Sequence, residues 1–330
     1  MSSITINNLP LKFRPFLLGS PSCSANIKPE IDAIFQKDLK PLEKAFSSYI
    51  FDGGNYVIKD MTQGPRYLIT DAFGEEPSTS IDTHLYRVKK AEKIRTYIQK
   101  NNLGDHLVVP KKYIYWHEQK EQFYIIAEKI NLSESNYGVD TLRQQLTPIQ
   151  AKTLTQLSAN GYIDLSYNKF KLTQDGKVAL INTQPLKRFA EKAETSRSLS
   201  FLLSFIDRTA LLTRLSIAGI AKLKTGIVNP NVLKEVKNVE RNHVLCTLIQ
   251  LIGNLFLASM VFYFTNMIKT HIPITALRRI VEIGIKVPAI LKITFLVIDI
   301  FSVCGLWHLS CKKDGEGIGA IFEIERTGLL

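Results

Sequence analysis

Between Val244 and Ile268 the chain runs for 25 residues without one charged side chain. Few architectures accept such a stretch. About 20 apolar residues let a helix cross a bilayer, whereas a helix on the surface of a globular domain keeps a charged face. The run is rich in Leu, Ile, Phe and Val and closes on Phe262-Tyr263-Phe264 before Lys269. A second stretch, Ile293 to Cys311, ends with Trp307 and Lys312-Lys313, an aromatic and basic flank of the kind found at membrane interfaces. Asp299 lies inside it, and a carboxylate at the bilayer centre costs roughly 2.5–3.5 kcal/mol on insertion scales. Gln250 and Asn254, one turn apart, are expected to partner it between the two helices. The pattern predicts a membrane hairpin over residues 243–311. The alternative is two buried helices of a large helical lobe.

Charge is distributed unevenly. From Thr183 onward there are 19 Lys/Arg and 11 Asp/Glu, so this part supplies +8 of the net +12. A basic excess beside apolar segments suits an anionic membrane surface, and no nucleic-acid module is visible. Lys237 and Arg241 precede the first span and Lys312 and Lys313 follow the second, while Lys269, Arg278, Arg279 and Lys286 occupy the connection. With basic residues on both sides, the positive-inside rule leaves the orientation open. The first 15–20 residues show no basic start followed by an apolar core, so no cleaved secretory signal is expected. The amino-terminal part is then expected on the cytosolic side, with both ends of the hairpin. The close pairing of the spans is similar to the bilobed hydrophobic domain of chlamydial inclusion membrane proteins, a resemblance that would imply a host-derived membrane. Leu199–Ile206, followed by Asp207-Arg208, is too short to span and reads as a core or interfacial helix.

Upstream, Lys169–Leu172 and Val178–Ile181 flank Gln174-Asp175-Gly176, and Asp-Gly between two apolar runs is a strong hairpin signal. Tyr162-Ile163-Asp164-Leu165 precedes the hairpin and Asn182-Thr183-Gln184 leaves it. This arrangement resembles the catalytic loop and metal-binding strand pair of the eukaryotic-type protein kinase fold, H-R-D-x-x-x-x-N followed by D-F-G. The resemblance implies Asp164 as the catalytic Asp that orients the accepting hydroxyl, with Asn168 and Asn182 as metal ligands. Three residues rather than four separate Asp164 from Asn168, and Asn182 stands where the family has a carboxylate. Hard cations favour carboxylates over an uncharged amide. An ordinary surface hairpin is the alternative reading.

The resemblance covers roughly residues 45–190. Tyr56-Val57-Ile58-Lys59 looks like the V-A-I-K strand whose Lys meets the nucleotide phosphates and a helix Glu. A helix is predicted from Asp82 to about Gln99, with Leu85, Val88, Ala91, Ile94 and Ile98 at helical spacing and Asn102 and Gly104 ending it. Glu92 holds the place of the pairing Glu. Strands are expected at Tyr113–His117 and Phe123–Glu128, the second resembling the strand that enters the kinase hinge, with Ile126 near the gatekeeper position. Lys59, Glu92 and Glu128 are the cofactor-binding residues that the resemblance implies. Thr147-Pro148-Ile149-Gln150 opens a further helix with a capping box and Pro in its first turn, and Asn160-Gly161 stops it. Tyr56–Asp60 could instead pair with Arg66–Thr70 as a hairpin, which would put Lys59 one strand too early. No G-x-G-x-x-G precedes Lys59. Gly53-Gly54 reads as a turn, and Gly315-x-Gly317-x-Gly319 follows a hydrophobic segment rather than opening a helix after a strand.

Other chemistries find no support. Cys23, Cys246, Cys304 and Cys311 include no C-x-x-C, the six His show no H-E-x-x-H spacing, and no G-x-S-x-G is present. The expected fold is α+β: an extension (1–44), a protein kinase-like domain with a small β-rich lobe and a helical part (45–190), and a basic helical linker (191–242). An all-α, membrane-embedded pair of helices (243–311) and a tail (312–330) follow. The expected function is a membrane-tethered kinase-like binding or regulatory protein, catalytically weak or inactive. ATP and Mg²⁺ are the implied cofactors, and a membrane and a protein partner the implied contacts. An active ATP-dependent phosphotransferase with a nonstandard metal site and a nucleotide-free membrane scaffold are the alternatives.

Overall fold

The computed structural model describes residues 9, 11–37, 39–41, 50–61, 80–133, 139–163, 165, 170–181, 207–271, 275 and 285–311. The chain divides into two compact units, Met1–Tyr137 with Lys169–Gln184, and Gly138–Asn168 with Pro185–Leu330.

The first unit is mixed α and β. After a 3-10 segment (Leu11–Phe16) come α1 (Lys28–Phe35), β1 (Lys40–Pro41), β2 (Ile50–Asp52), β3 (Tyr56–Asp60) and α2 (Ser80–Lys100). They are followed by β4 (Leu107–Val108), β5 (Lys112–His117), β6 (Gln122–Glu128), β7 (Phe170–Leu172) and β8 (Val178–Leu180). Five strands form an antiparallel sheet in the order β1-β2-β3-β6-β5. The β7–β8 hairpin forms a second sheet, with β4 parallel to β8.

Local chemistry explains the turns. Asp52 accepts a hydrogen bond from the Gly54 N–H at 2.9 Å, and Gly54 takes φ +75°, which closes β2 onto β3. At the predicted Asp175-Gly176 turn, Gly176 takes φ +78° and the Thr173 hydroxyl accepts from the Lys177 N–H at 2.8 Å. The five apolar residues predicted on one face of α2 are all buried. Leu85 and Val88 pack on one sheet face with Ile114, Phe123 and Ile125, joined by Leu9, Phe13 and Leu17. The opposite face gathers Tyr56, Ile58, Tyr115, Tyr124 and Ile126 around Ile31 of α1, and Phe35 stacks on Tyr115 at 4.8 Å between ring centres. Residues expected in a separate amino-terminal extension thus supply core to both faces. The Arg66–Thr70 strand lies outside the described residues.

The second unit is helical in its described residues: α3 (Val139–Gln144), α4 (Pro148–Ala159), α5 (Arg208–Lys224), α6 (Pro230–His271) and α7 (Val287–Cys311). The capping box at the head of α4 forms as the sequence predicts, Thr147 accepting from the Gln150 N–H while the Gln150 side chain accepts from the Thr147 N–H. Asp207 caps α5 by accepting from the Thr209 and Ala210 N–H groups. Helix α6 continues 14 residues before Val244, and α7 begins at Val287 rather than Ile293. Helices α5, α6 and α7 share a core of Ile217, Ala221, Val244, Leu251, Leu296 and Val303. Helix α4 packs on α5 and α6, with Lys152 and Glu235 paired at 3.3 Å. Leu199–Ile206 and the glycines from 315 to 319 lie outside the described residues.

Candidate functional site

Strand register decides which side chains of the first unit can meet. Lys59 pairs with Ile125, which pairs in turn with Ile114; Lys112 shares its row with Ala127 and Val57. Side chains two residues apart along a strand share a face, so Lys59 and Lys112 stand on the same side as Ile114 and Ile125, under α2. Arg87 of α2 stands beside the buried Val88 of this core, near enough for its charge to act on both lysines. Burial first and then the nearby Arg87 push the Lys59 ammonium down from 10.5 to about 8. Lys112 is pushed well down by burial and then by the positive charges of Lys59 and Arg87. Its Nζ donates to the Ile181 carbonyl at 2.8 Å, at the end of β8. Three cations from β3, α2 and β5 therefore stand within reach of one another's charge.

The residues implied by the kinase resemblance are distributed differently from expectation. Glu92 is exposed on α2 and pairs with Arg95 at 3.0 Å, one turn along the same helix. The charge beside Lys59 is Arg87, not Glu92. Glu128 lies in the row of Tyr56, on the sheet face opposite Lys59, and its carboxylate pairs with Lys111 at 3.5 Å and accepts from the Lys111 N–H. Asp164, Asn168 and Asn182 lie outside the described residues. Arg87 and Lys112 were not among the residues expected at a site. The alternation Lys112-Tyr113-Ile114 puts Lys112 on the face of Ile114, but only the sheet order brings that face beside Lys59.

A depressed ammonium has a measurable consequence. The unfolded chain keeps the Lys59 proton up to about 10.5 while the folded chain releases it near 8. Between those values the unfolded state binds more protons, so folded stability rises with pH across that window. Melting of the full chain in detergent should show this rise between pH 8 and 10, and Lys59→Met should flatten it.

Charges in the second unit are arranged around α5. Asp299, buried in α7, pairs with Arg214 at 3.0 Å and accepts from the Asp207 N–H at 3.0 Å. Arg214 also donates to the Ser302 hydroxyl at 2.8 Å. The expected partners of Asp299 bond elsewhere: Asn254 donates to the Asp207 carboxylate at 2.9 Å, and Gln250 to the Thr209 hydroxyl at 3.2 Å. A guanidinium on a third helix outcompetes two amides because it neutralises the carboxylate as well as hydrogen-bonding it. At the other end of α5, Lys224 pairs with Glu240 at 2.7 Å and donates to the Ser310 hydroxyl and carbonyl. Ser310 in turn donates to Glu240 at 2.5 Å.

The outer surface of this bundle is apolar. Leu245, Ile249, Ile252 and Phe256 form an exposed stripe on α6, which widens to include Leu257, Met260, Val261, Tyr263, Phe264 and Met267 past the level where α5 begins. On α7, Ile290, Val297, Ile298 and Phe301 are exposed. Two helices, over Pro230–Met267 and Val287–Cys311, are long and apolar enough to cross a membrane, and only 17% and 22% of their most apolar windows are buried within the protein. A core helix of a soluble lobe would be mostly buried.

Among the described residues no group of three His, Cys, Asp or Glu side chains gathers to hold a metal ion. The Lys59, Arg87 and Lys112 side chains offer the charge and donors that suit phosphate oxygens. Searches of protein-family models, of curated proteins and of solved structures find no match to this chain.

Proposed function

We propose that this protein is a membrane-anchored, kinase-like binding or regulatory module with feeble or absent phosphoryl transfer. The observation that carries the reading is the order of elements. The strand bearing Lys59, helix α2, strands β5 and β6, the capped helix α4 and the β7–β8 hairpin follow one another as the kinase resemblance requires. The exposed apolar surface of α6 and α7 supports the anchor, since patches of this extent mark membrane or partner contacts. The amino-terminal unit is assigned to the cytosolic side.

Weak chemistry follows from charge. Phosphoryl transfer needs anionic ligands to hold Mg²⁺ against the phosphates, and Asn182 brings none. Glu92, engaged by Arg95, is not held on Lys59 to fix the ammonium over a phosphate. When bound, Mg²⁺ would neutralise charge developing on the transferring phosphoryl group.

Thermal melting of the full chain in detergent, with ATP and with or without Mg²⁺, tests the reading. The expected result is a nucleotide shift without sustained ATP turnover. Robust turnover abolished by Asp164→Ala would promote the active phosphotransferase, and absence of any nucleotide shift would leave a membrane scaffold.

A further inference from the structure

We propose that Lys59, Arg87 and Lys112 form a binding site for a multiply charged phosphate group that works without a divalent metal. The choice of a nucleotide-type phosphate rests on the kinase-like reading above; the cation cluster itself rests on the sheet.

Two lysines from strands on either side of β6 share one face, and α2, which carries Arg87 beside the buried Val88, packs on that face. All three keep part of their surface in solvent, so an anion has access to them. Arg87 and Lys112 also make contacts within the protein, which fix where their charges stand. The chemistry is complementary: a guanidinium offers a planar fork to two phosphate oxygens, and each ammonium a compact point charge. Burial first, and then repulsion between like charges, depresses the Lys59 and Lys112 ammonium groups. A bound polyanion would turn that repulsion into attraction.

Charge balance argues for metal independence. A triphosphate carries about four negative charges at neutral pH, and phosphoryl-transfer sites neutralise part of them with Mg²⁺ held by carboxylates. This chain places Arg87 beside its strand lysine and has Asn182 after β8. The cations that a metal would contribute are supplied by side chains. The hydrogen bond from Lys112 to the Ile181 carbonyl ties the cluster to the end of β8.

Isothermal titration of the full chain in detergent micelles, with sodium tripolyphosphate and with ATP, each in EDTA and in excess Mg²⁺, tests the site. Tripolyphosphate should bind in EDTA, and Mg²⁺ should weaken it by drawing off phosphate charge. Arg87→Gln and Lys59→Gln should each weaken binding about 10- to 100-fold, the range for a lost hydrogen bond to a charged group. Arg87→Lys should recover part of the loss, and melting without ligand shows whether each variant folds. No binding of tripolyphosphate, stronger binding with Mg²⁺, or full affinity in all variants would overturn the site. ATP binding only with Mg²⁺ would sink the metal-free site and leave the kinase-like reading standing. Tripolyphosphate binding with no preference for ATP would keep the site and remove the nucleotide.

Discussion

Lys224→Ala should destabilise the helical unit by about 3–5 kcal/mol, the usual penalty for leaving one member of a buried ion pair without its partner. The Lys224 side chain is 0% exposed and that of Glu240 2%, and the two are 2.7 Å apart. Ser310 completes the arrangement by accepting from Lys224 and donating to Glu240. Removing the ammonium strands a carboxylate that burial opposes. Glu240→Ala should cost a similar amount for the opposite charge. Lys224→Met with Glu240→Leu should cost far less than either, since apolar replacement of a whole buried pair is often neutral or favourable. Denaturant unfolding in mild detergent reads the three variants. If each single variant unfolds at the wild-type midpoint, the pair does not hold α5 to α6 and α7.

Asp299 obeys the same rule. On the sequence alone, Asp299→Leu should be benign or strengthen insertion in a membrane and should break a buried polar network in a soluble lobe. The structure places Arg214 against Asp299, so the single change strands a guanidinium in the apolar bundle. Asp299→Leu should therefore reduce stability, and adding Arg214→Leu should restore most of it.

These pairs show where the sequence was legible and where it was not. Helix α2 could be read from five apolar residues at helical spacing, α4 from Thr147 and Gln150, and the hairpin from Asp175-Gly176, because each signal is local. The basic helical linker expected over 191–242 runs on into α6 without a break, and Lys234, Glu235, Lys237, Glu240 and Arg241 hid that continuity. Yet Val232 and Val236 are buried there, and Glu240 is buried by a lysine that precedes it by 16 residues. Arg214 and Lys224 fall within that same linker. Their partners Asp299 and Ser310 lie 85 and 86 residues further along the chain, a separation that no local period encodes. The cation cluster was hidden for the same reason, since it needs β5 and β3 to flank β6.

Placing a charge at the middle of the apolar surface of both helices should abolish stable membrane insertion. Phe256 is 64% exposed and Phe301 73%, and both lie near the midpoint of their apolar runs. At about 1.5 Å per residue, the 25 residues from Val287 to Cys311 make a helix of about 38 Å, enough to cross a hydrocarbon core of about 30 Å. If lipid covers these rings, Phe256→Arg should cost about 2.5–3.5 kcal/mol of insertion free energy, and Phe301→Arg about the same. The two sites lie on different helices, so their effects should nearly add. The wild-type chain should then resist carbonate and high-salt extraction, while the double variant is released or degraded. If water or a loosely held partner covers them instead, an exposed Phe→Arg change is close to neutral and should improve solubility. The two settings predict opposite signs for one pair of substitutions, so a double variant that is better behaved in solution, from a wild-type chain that carbonate releases, would eliminate the anchor.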